Sequence, residues 1–159
     1  MQKEDNREDI HVYKRHNKTL LLYHMVFVIK YRKKVITKEI EESIKNICIK
    51  ISEIYEIKFL EVGLDEDHIH LLIQSVPKLS VSIIVGKIKG ILAKELFVLH
   101  PEIKKYLWGG SLWTDGYYVN TVGQYSNKEV IIKYIQNQGK KENEYKKIFA
   151  QQLCFDFDS

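Results

Sequence analysis

Apolar residues recur along the chain with two different periods, every second residue as in a strand and about every 3.6 residues as in a helix. The order of these segments limits the folds that the chain can adopt. Alternation over residues 20–32 predicts a strand with one polar side. Isoleucines spaced by three and four then predict an amphipathic helix that begins after Thr37, a suitable N-cap, and ends near Tyr55. Two further strands are predicted over residues 58–64 and 68–74, joined by an acidic turn.

The second half of the chain repeats the pattern of helix and strand. Ser80 is a suitable cap for a helix that ends before Pro101, and an aromatic segment around Tyr118 predicts a last strand. The order strand, helix, strand, strand, helix, strand is the ferredoxin-like split βαβ arrangement. We therefore expect an α+β fold in which helices cover one face of an antiparallel sheet. An added C-terminal helix, opened by a capping box at Ser126, should carry Tyr134.

The length of 159 residues and the apolar content of 45% fit one domain with one packed core. We expect a flexible, charged N-terminal arm over residues 1–18, a single domain over residues 19–153 and an acidic tail over residues 154–159. The longest apolar run, residues 20–29, is too short to cross a bilayer. A cytoplasmic protein without a membrane segment is therefore expected.

Positive charge is concentrated in one stretch, although the formal net charge is only +4. Residues 28–38 contain five basic residues and no acid, and four of the five lie close together at Lys30, Arg32, Lys33 and Lys34. Any one of them alone is best explained as a solvated surface residue. Their clustering indicates a surface that binds phosphate groups.

Two histidines lie two residues apart in the third predicted strand. Side chains at alternate strand positions project from the same face, so His68 and His70 can bind one divalent cation while Ile69 points into the core. A single histidine on a strand is usually a packing residue, but two on one face rarely serve packing alone. Histidine triad hydrolases also carry alternating histidines, but they require another where Leu72 stands.

A tyrosine and a glutamine lie one turn apart in the last predicted helix. Residues at i and i+4 are neighbours on a helix, so the phenol of Tyr134 and the amide oxygen of Gln138 can reach the same cation. Tyr134 alone is better explained as a residue that covers the core, because the chain has ten tyrosines. Gln138 is not needed for packing. A cation beside a tyrosine suggests phosphoryl transfer.

Four motifs occur along the chain in the order known from one protein family. They are LLYHMVFVIKYRKKV, DHIHLLI, LWGGSLW followed by YYVNTVG, and YIQNQ, and the match covers about residues 18–140. In these motifs the chain resembles the single-tyrosine HUH transposases of IS200/IS605-type insertion sequences, the IS200-like transposase family. The resemblance implies that His68 and His70 are metal ligands, that Gln138 is the third ligand and that Tyr134 is the nucleophile.

The resemblance also implies an activity. Such an enzyme cleaves and rejoins single-stranded DNA at hairpin-bearing element ends through a 5′-phosphotyrosine intermediate, with Mg²⁺ or Mn²⁺ as cofactor. Family members act as homodimers in which the tyrosine helix of one subunit completes the histidine site of the other, so we expect shared sites here. The basic run should contact DNA phosphates, and Trp113, Tyr117 or Tyr118 should stack on unpaired bases, with at least one tryptophan buried instead.

Two other functions stay open at this stage. A noncatalytic module that binds single-stranded nucleic acid has the same order of strands and helices, although the third strand lacks the aromatic motif of RNA-recognition domains. A domesticated HUH nuclease, or a replication initiator or relaxase of the wider group, keeps the chemistry but changes the biological role. Metal-independent binding without covalent capture of DNA would favour the first of these.

Overall fold

The alternating segments form one antiparallel sheet, and the segments of helical period pack on it. The computed structural model describes residues 10–123. In chain order the elements are β1 (Val12–Tyr13), β2 (Lys18–Thr19), β3 (Leu21–Val28), α1 (Lys38–Ile54), β4 (Lys58–Leu64), β5 (His68–Ser75), α2 (Val81–Leu99) and β6 (Tyr118–Thr121). The main sheet has the strand order β4-β5-β3-β6 with every neighbouring pair antiparallel. This is the predicted ferredoxin-like arrangement, and the α+β fold class is confirmed.

The core lies between the sheet and the two helices. Alternate residues of β3 and β5, such as Phe27 and Ile69, are fully buried in one cluster with the apolar stripe of α1, which includes Ile44 and Ile47. Each fully buried side chain of this size stabilises the fold by roughly 1.5–3 kcal/mol. The helices therefore cover one face of the sheet, and the other face is available for polar side chains.

Both predicted helix caps are confirmed. The hydroxyl of Thr37 accepts a hydrogen bond from the backbone N–H of Ile40 at 3.4 Å, and the hydroxyl of Ser80 accepts one from Ile83 at 3.2 Å. An N-cap hydroxyl satisfies a backbone donor that the first helical turn leaves without a partner. The two helices thus begin where the sequence places their caps.

The first long strand is shorter than predicted. It ends at Val28 rather than near residue 32, and a short 3-10 turn, Lys30–Arg32, follows. Tyr31 and Arg32 have left-handed backbone conformations, with φ of 60° and 52°, which are uncommon for residues other than glycine. The backbone N–H of Lys30 instead bonds the carbonyl of Leu112 at 2.8 Å, a contact distant in sequence that apolar spacing does not reveal.

The N-terminal segment is more ordered than predicted in its second half. The sequence predicts a flexible arm over residues 1–18, but β1 and β2 pair as an antiparallel hairpin. The side-chain amide of Gln74 donates to the carbonyl of Ile10 at 2.6 Å, and Lys14 forms an ion pair with Glu56. Both partners, Gln74 and Glu56, are far away in sequence. The composition of residues 1–18 therefore predicts a flexible arm, because it does not reveal these contacts.

Several predictions fall on residues that the structure does not describe. These are residues 1–9 of the arm, the part of the predicted domain after residue 123, with Tyr134 and Gln138, and the acidic tail. Among residues 10–123, neither long helix is apolar enough to cross a membrane.

Ion pairing of Glu56 should make the docking of the N-terminal hairpin depend on pH. A hydrogen bond from Lys14 and a second from Lys78, at 2.8 Å, lower the pKa of Glu56 to about 2. A carboxylate with a lowered pKa stabilises the folded state above its ordinary pKa of about 4.5 and loses this effect as the pH falls towards 2. We predict that Glu56→Gln lowers the melting temperature at pH 7 and that the difference from the unmodified protein shrinks between pH 4.5 and pH 2.5.

Thermal unfolding followed by circular dichroism across this range measures the effect. In a background with Lys14→Met and Lys78→Met, the Glu56 substitution should have little effect, because its partners are gone. A difference that stays constant with pH would contradict the prediction.

Candidate active site

Three histidines share the face of the sheet that the helices leave open. The register places Val28 opposite His68 and Val26 opposite His70, and His24 lies on the same face because it is two residues from Val26. All three imidazoles are buried. The Nε2 atoms of His68 and His70 are 3.1 Å apart, and the ring of His24 lies parallel to that of His70 with centroids 5.9 Å apart. The structure therefore brings the predicted histidine pair together.

An aspartate orients the first histidine of the pair. The Nδ1–H of His68 donates to the carboxylate of Asp67 at 2.6 Å. In a neutral imidazole this bond places the lone pair on Nε2, and Nε2 of His68 is the atom that faces His70. Histidines that bind a metal usually donate their other ring N–H to a carboxylate in this way, which fixes the orientation of the ring. The sequence pattern predicts only that Asp67 is part of a turn. Its position directly before His68, in the motif DHIH, is nevertheless a signal that its carboxylate could orient that histidine.

Burial keeps the second and third imidazoles neutral. Burial, with smaller contributions from the neighbouring His68 and His24, lowers the pKa of His70 to about 3. Burial also lowers the pKa of His24, and with the opposing effect of a hydrogen bond with Asn120 that pKa is about 4. Both groups are therefore neutral near pH 7, so His70 has a lone pair available for a cation. The carboxylate of Asp65, with one oxygen 3.6 Å from His68 Nε2, adds negative charge beside the pair.

The spacing of the histidine nitrogens fits a divalent cation. Two nitrogens that occupy adjacent positions around an octahedral ion, each at about 2.1 Å, are about 3.0 Å apart. The observed separation is 3.1 Å. Over residues 10–123, no group of three or more histidine, cysteine and carboxylate side chains is arranged to hold a metal. The amide of Gln138, the predicted third ligand, lies outside the described residues and stays a prediction.

The basic run lies at the histidine end of the sheet. It begins two residues after Val28, the residue opposite His68. The side chain of Lys30 is half-buried, and those of Arg32, Lys33 and Lys34 are exposed. A weak surface ion pair, 3.6 Å long, joins Lys34 to Glu66. The run therefore adjoins the candidate metal site, although its predicted contact with DNA is not tested by this placement.

The two tryptophans have opposite environments. Trp113 is only 5% exposed and its ring packs edge-on against Phe27, so it offers no free face to a base. Its Nε1–H donates to the carbonyl of Lys89 at 3.1 Å, which explains how the indole is buried without losing a hydrogen bond. Trp108 is 85% exposed. The expectation that one tryptophan is buried is confirmed, and the aromatic surface lies at Trp108 rather than at Trp113.

A lysine of the second helix is used inside the fold. The Nζ of Lys89 donates to the carbonyls of Thr114 and Gly116, each at 2.8 Å, and lies 5.5 Å from the centroid of the Phe27 ring. Burial lowers the pKa of Lys89, and the charge of Asp115 opposes that effect. Together with the indole bond from Trp113, these contacts tie the segment before β6 to α2.

Comparison with known proteins shows the family of this chain. The family described as "Transposase IS200 like" matches residues 17–138, a range that includes both histidines, the basic run, Tyr134 and Gln138. The chain belongs to the IS200-like transposase family. Among its relatives is the ISDra2 transposase TnpA of Deinococcus radiodurans, 34% identical over 122 residues that cover 77% of this chain and 86% of that protein. The transposase of insertion sequence IS200 from Salmonella typhimurium is 35% identical over 73% of this chain and 75% of its own length.

Solved transposase structures share the fold. A crystal structure of a transposase from Deinococcus radiodurans has a TM-score of 0.66 at 30% identity and covers 80% of this chain and 97% of its own. A REP-associated tyrosine transposase bound to a REP hairpin has a TM-score of 0.56 at 11% identity, covering 83% of this chain and 74% of its own. The second likeness shows the fold alone. The sheet described above is therefore a transposase fold.

The contact between Asp67 and His68 should affect the affinity for a divalent cation. Loss of a carboxylate that orients a histidine ligand typically costs about 10–100-fold in metal affinity. We predict a loss of this size for Asp67→Ala, measured by titration with Mn²⁺ in a calorimeter or by electron paramagnetic resonance. Glu66→Ala is the matched control, because Glu66 lies in the same turn but pairs with Lys34 at the surface. Equal weakening by both substitutions, or by neither, would refute the assignment of Asp67.

Proposed function

We propose that this transposase cleaves and rejoins single-stranded DNA at hairpin-bearing element ends through a 5′-phosphotyrosine intermediate on Tyr134, in a reaction that requires Mg²⁺ or Mn²⁺. The observation that carries the proposal is the histidine pair, with its Nε2 atoms 3.1 Å apart and Asp67 fixing the orientation of His68. Family membership supports the substrate class, since the relatives named above are transposases of insertion sequences.

The proposed nucleophile needs help at neutral pH. A phenol with a pKa near 10 is ionised only about one part in a thousand at pH 7, so forming the phenoxide costs roughly 4 kcal/mol. His68, His70 and the amide oxygen of Gln138 would hold the cation. A bound Mg²⁺ or Mn²⁺ supplies a Lewis acid that polarises the scissile phosphate. His70, kept neutral by burial, has a lone pair available for the cation, and the Nε2 atom of His68 lies 3.1 Å from that of His70.

The covalent step exchanges one phosphate ester for another. The oxygen of Tyr134 attacks the phosphorus and the bond to the 3′ oxygen breaks, which leaves a 5′-phosphotyrosine and a 3′ hydroxyl that has taken up a proton. In the rejoining step a 3′ hydroxyl attacks the phosphotyrosine and releases the phenol. Each step forms one phosphate ester and breaks another, so strand joining needs no nucleotide triphosphate.

Binding of the DNA is assigned to the charged end of the sheet. Lys30, Arg32, Lys33 and Lys34 would neutralise phosphates there, next to His68, and so bring the strand to the histidine pair. The REP-associated transposase of similar fold was solved with a hairpin bound, which supports a hairpin as part of the substrate. The order of events is then capture of the strand by charge, followed by attack of the phenol at the histidine site.

A covalent adduct tests the proposal directly. Incubation of the full chain with labelled single-stranded element ends and Mn²⁺ should give a protein–DNA product that survives denaturing electrophoresis. Tyr134→Phe should abolish this product, and His68→Ala should reduce it to background. Tyr106→Phe is the matched control, since Tyr106 is an exposed tyrosine of the same protein and should leave the yield unchanged. Adduct formation by Tyr134→Phe would refute the role of Tyr134, and DNA binding without any adduct would favour a noncatalytic module.

Shared active sites are the second part of the proposal. We propose a homodimer in which Tyr134 of one subunit acts at the histidine pair of the other. A mixture of Tyr134→Phe and His68→Ala proteins should then recover about a quarter of the unmodified activity, because half of the dimers are mixed and each has one intact site. If each site is completed within one chain, the mixture has no intact site. Absence of recovery after proven subunit exchange would therefore exclude sharing.

A further inference from the structure

An exposed tyrosine stands in an uncommon backbone conformation beside the histidine site. Tyr31 is 59% exposed, and its φ of 60° and ψ of 15° lie in the left-handed region. Bulky residues are rare there, and such outliers are concentrated at functional sites. The charge of Lys30 lies 5.6 Å from the centroid of the Tyr31 ring. Because Tyr31 is mostly exposed and a bulky side chain disfavours this backbone conformation, packing in the core does not explain a tyrosine at this position.

Trp108 is the second unexplained aromatic residue. It is 85% exposed, more than any other large apolar residue in the described part of the chain. Gly109 and Gly110 follow it with φ of 82° and 73°, and glycine alone takes this conformation without strain. An indole in water lacks the apolar burial that it would gain in a core, and tryptophan is enriched where proteins contact a partner.

Hydrogen bonds tie the two aromatic loops to one another. The backbone N–H of Lys30 donates to the carbonyl of Leu112 at 2.8 Å. The backbone N–H of Thr114 donates to the carbonyl of Val28 at 2.9 Å. Val28 lies opposite His68. Because three residues span at most about 11 Å and paired strands lie about 5 Å apart, the backbone of Tyr31 is within about 16 Å of that of His68. Tyr31 therefore lies at the histidine end of the sheet, and the loop that carries Trp108 leads into a segment hydrogen-bonded to this end.

The chemistry of this end favours unpaired bases as the partner. Aromatic rings beside cationic side chains bind single strands, because bases stack on the rings while the cations meet the phosphates. Exposed Arg32 and Lys33 follow Tyr31 directly. We propose that Tyr31 and Trp108 form an aromatic platform on which unpaired bases of single-stranded DNA stack next to the phosphate that is cleaved. This inference rests on the proposed function for its substrate and assigns residues that the sequence pattern did not single out.

Tryptophan fluorescence tests the platform in the full chain. The chain has two tryptophans, and only Trp108 is exposed, since Trp113 is buried. The Tyr134→Phe protein, which should not cleave, is titrated with oligothymidylate and with an abasic oligonucleotide of the same length and charge. Oligothymidylate should quench the fluorescence and protect it from acrylamide, whereas the abasic strand should not. Equal quenching by both strands would overturn the stacking, because both carry the same phosphates.

Affinity measurements separate the platform from simple surface charge. Trp108→Ala and Tyr31→Asn should each weaken binding of oligothymidylate roughly five- to 150-fold, the range typical of one lost base–aromatic stack, while Trp108→Phe should largely retain it. Asparagine tolerates the left-handed conformation, so Tyr31→Asn should melt no lower than the unmodified protein. Unchanged affinity in both variants would overturn the proposal.

The chain provides a matched control at the opposite end of the sheet. Tyr13 is also 59% exposed, and the Nζ of Lys18 lies 5.0 Å from its ring centroid, which closely reproduces the pairing of Tyr31 with Lys30. It belongs to the hairpin before β3, which starts opposite Ser75 rather than His68. Tyr13→Ala should therefore leave DNA affinity unchanged. A loss equal to that of Tyr31→Asn would show that any exposed tyrosine contributes, and would overturn the platform.

The affinity measurements test the platform separately from the covalent reaction proposed for Tyr134. If no adduct forms on Tyr134 but the two platform variants still lose affinity, the proposed reaction fails and the platform stands. If the adduct forms normally and both variants bind like the unmodified protein, the reaction stands and the platform fails. The competing explanation is that Trp108 contacts a second copy of the chain, and sedimentation of the same variants tests it. A change of oligomeric state without a change of DNA affinity would support that contact and overturn the proposal.

Discussion

The antiparallel register between β3 and β5 determines which side chains lie on the open face of the sheet. With Val26 opposite His70 and Val28 opposite His68, the histidines face away from the helices, and residues such as Phe27 and Ile69 face towards them. A slip of one residue would exchange the two faces and place the imidazoles of β5 in the apolar core. The packing of the helices on one side therefore fixes the geometry of the chemical groups on the other.

The features that the sequence predicted correctly have a local physical origin. Strand and helix periods follow from the positions of apolar residues, and caps follow from hydroxyl side chains at helix starts, so the order of elements, Thr37 and Ser80 could all be identified. The histidine pair could be placed on one face because the strand period is two. The ferredoxin-like strand order then followed from the sequence of elements and a known arrangement.

The features that were missed depend on contacts between distant segments. Tertiary partners, Glu56 and Gln74, order the second half of a segment that composition alone assigns to a flexible arm. A backbone bond to Leu112 helps end β3 early, and no local signal distinguishes Trp113 in the core from Trp108 at the surface. The contact of Asp67 with His68 could not be predicted from the sequence, because it depends on where the turn directs the carboxylate. Tyr134 and Gln138 lie outside the described residues, so their meeting with the histidines stays a prediction.

The contacts of individual lysines show that the formal net charge of +4 does not describe where accessible positive charge lies. Lys14 and Lys78 meet Glu56, and Lys89 bonds two backbone carbonyls within the fold. Arg32 and Lys33, by contrast, remain exposed at the histidine end. The exposed positive charge of these two residues therefore lies next to the histidine pair. In the proposed reaction, this charge would steer an approaching single strand towards that end of the sheet before any contact is made, at a rate that falls as ionic strength rises.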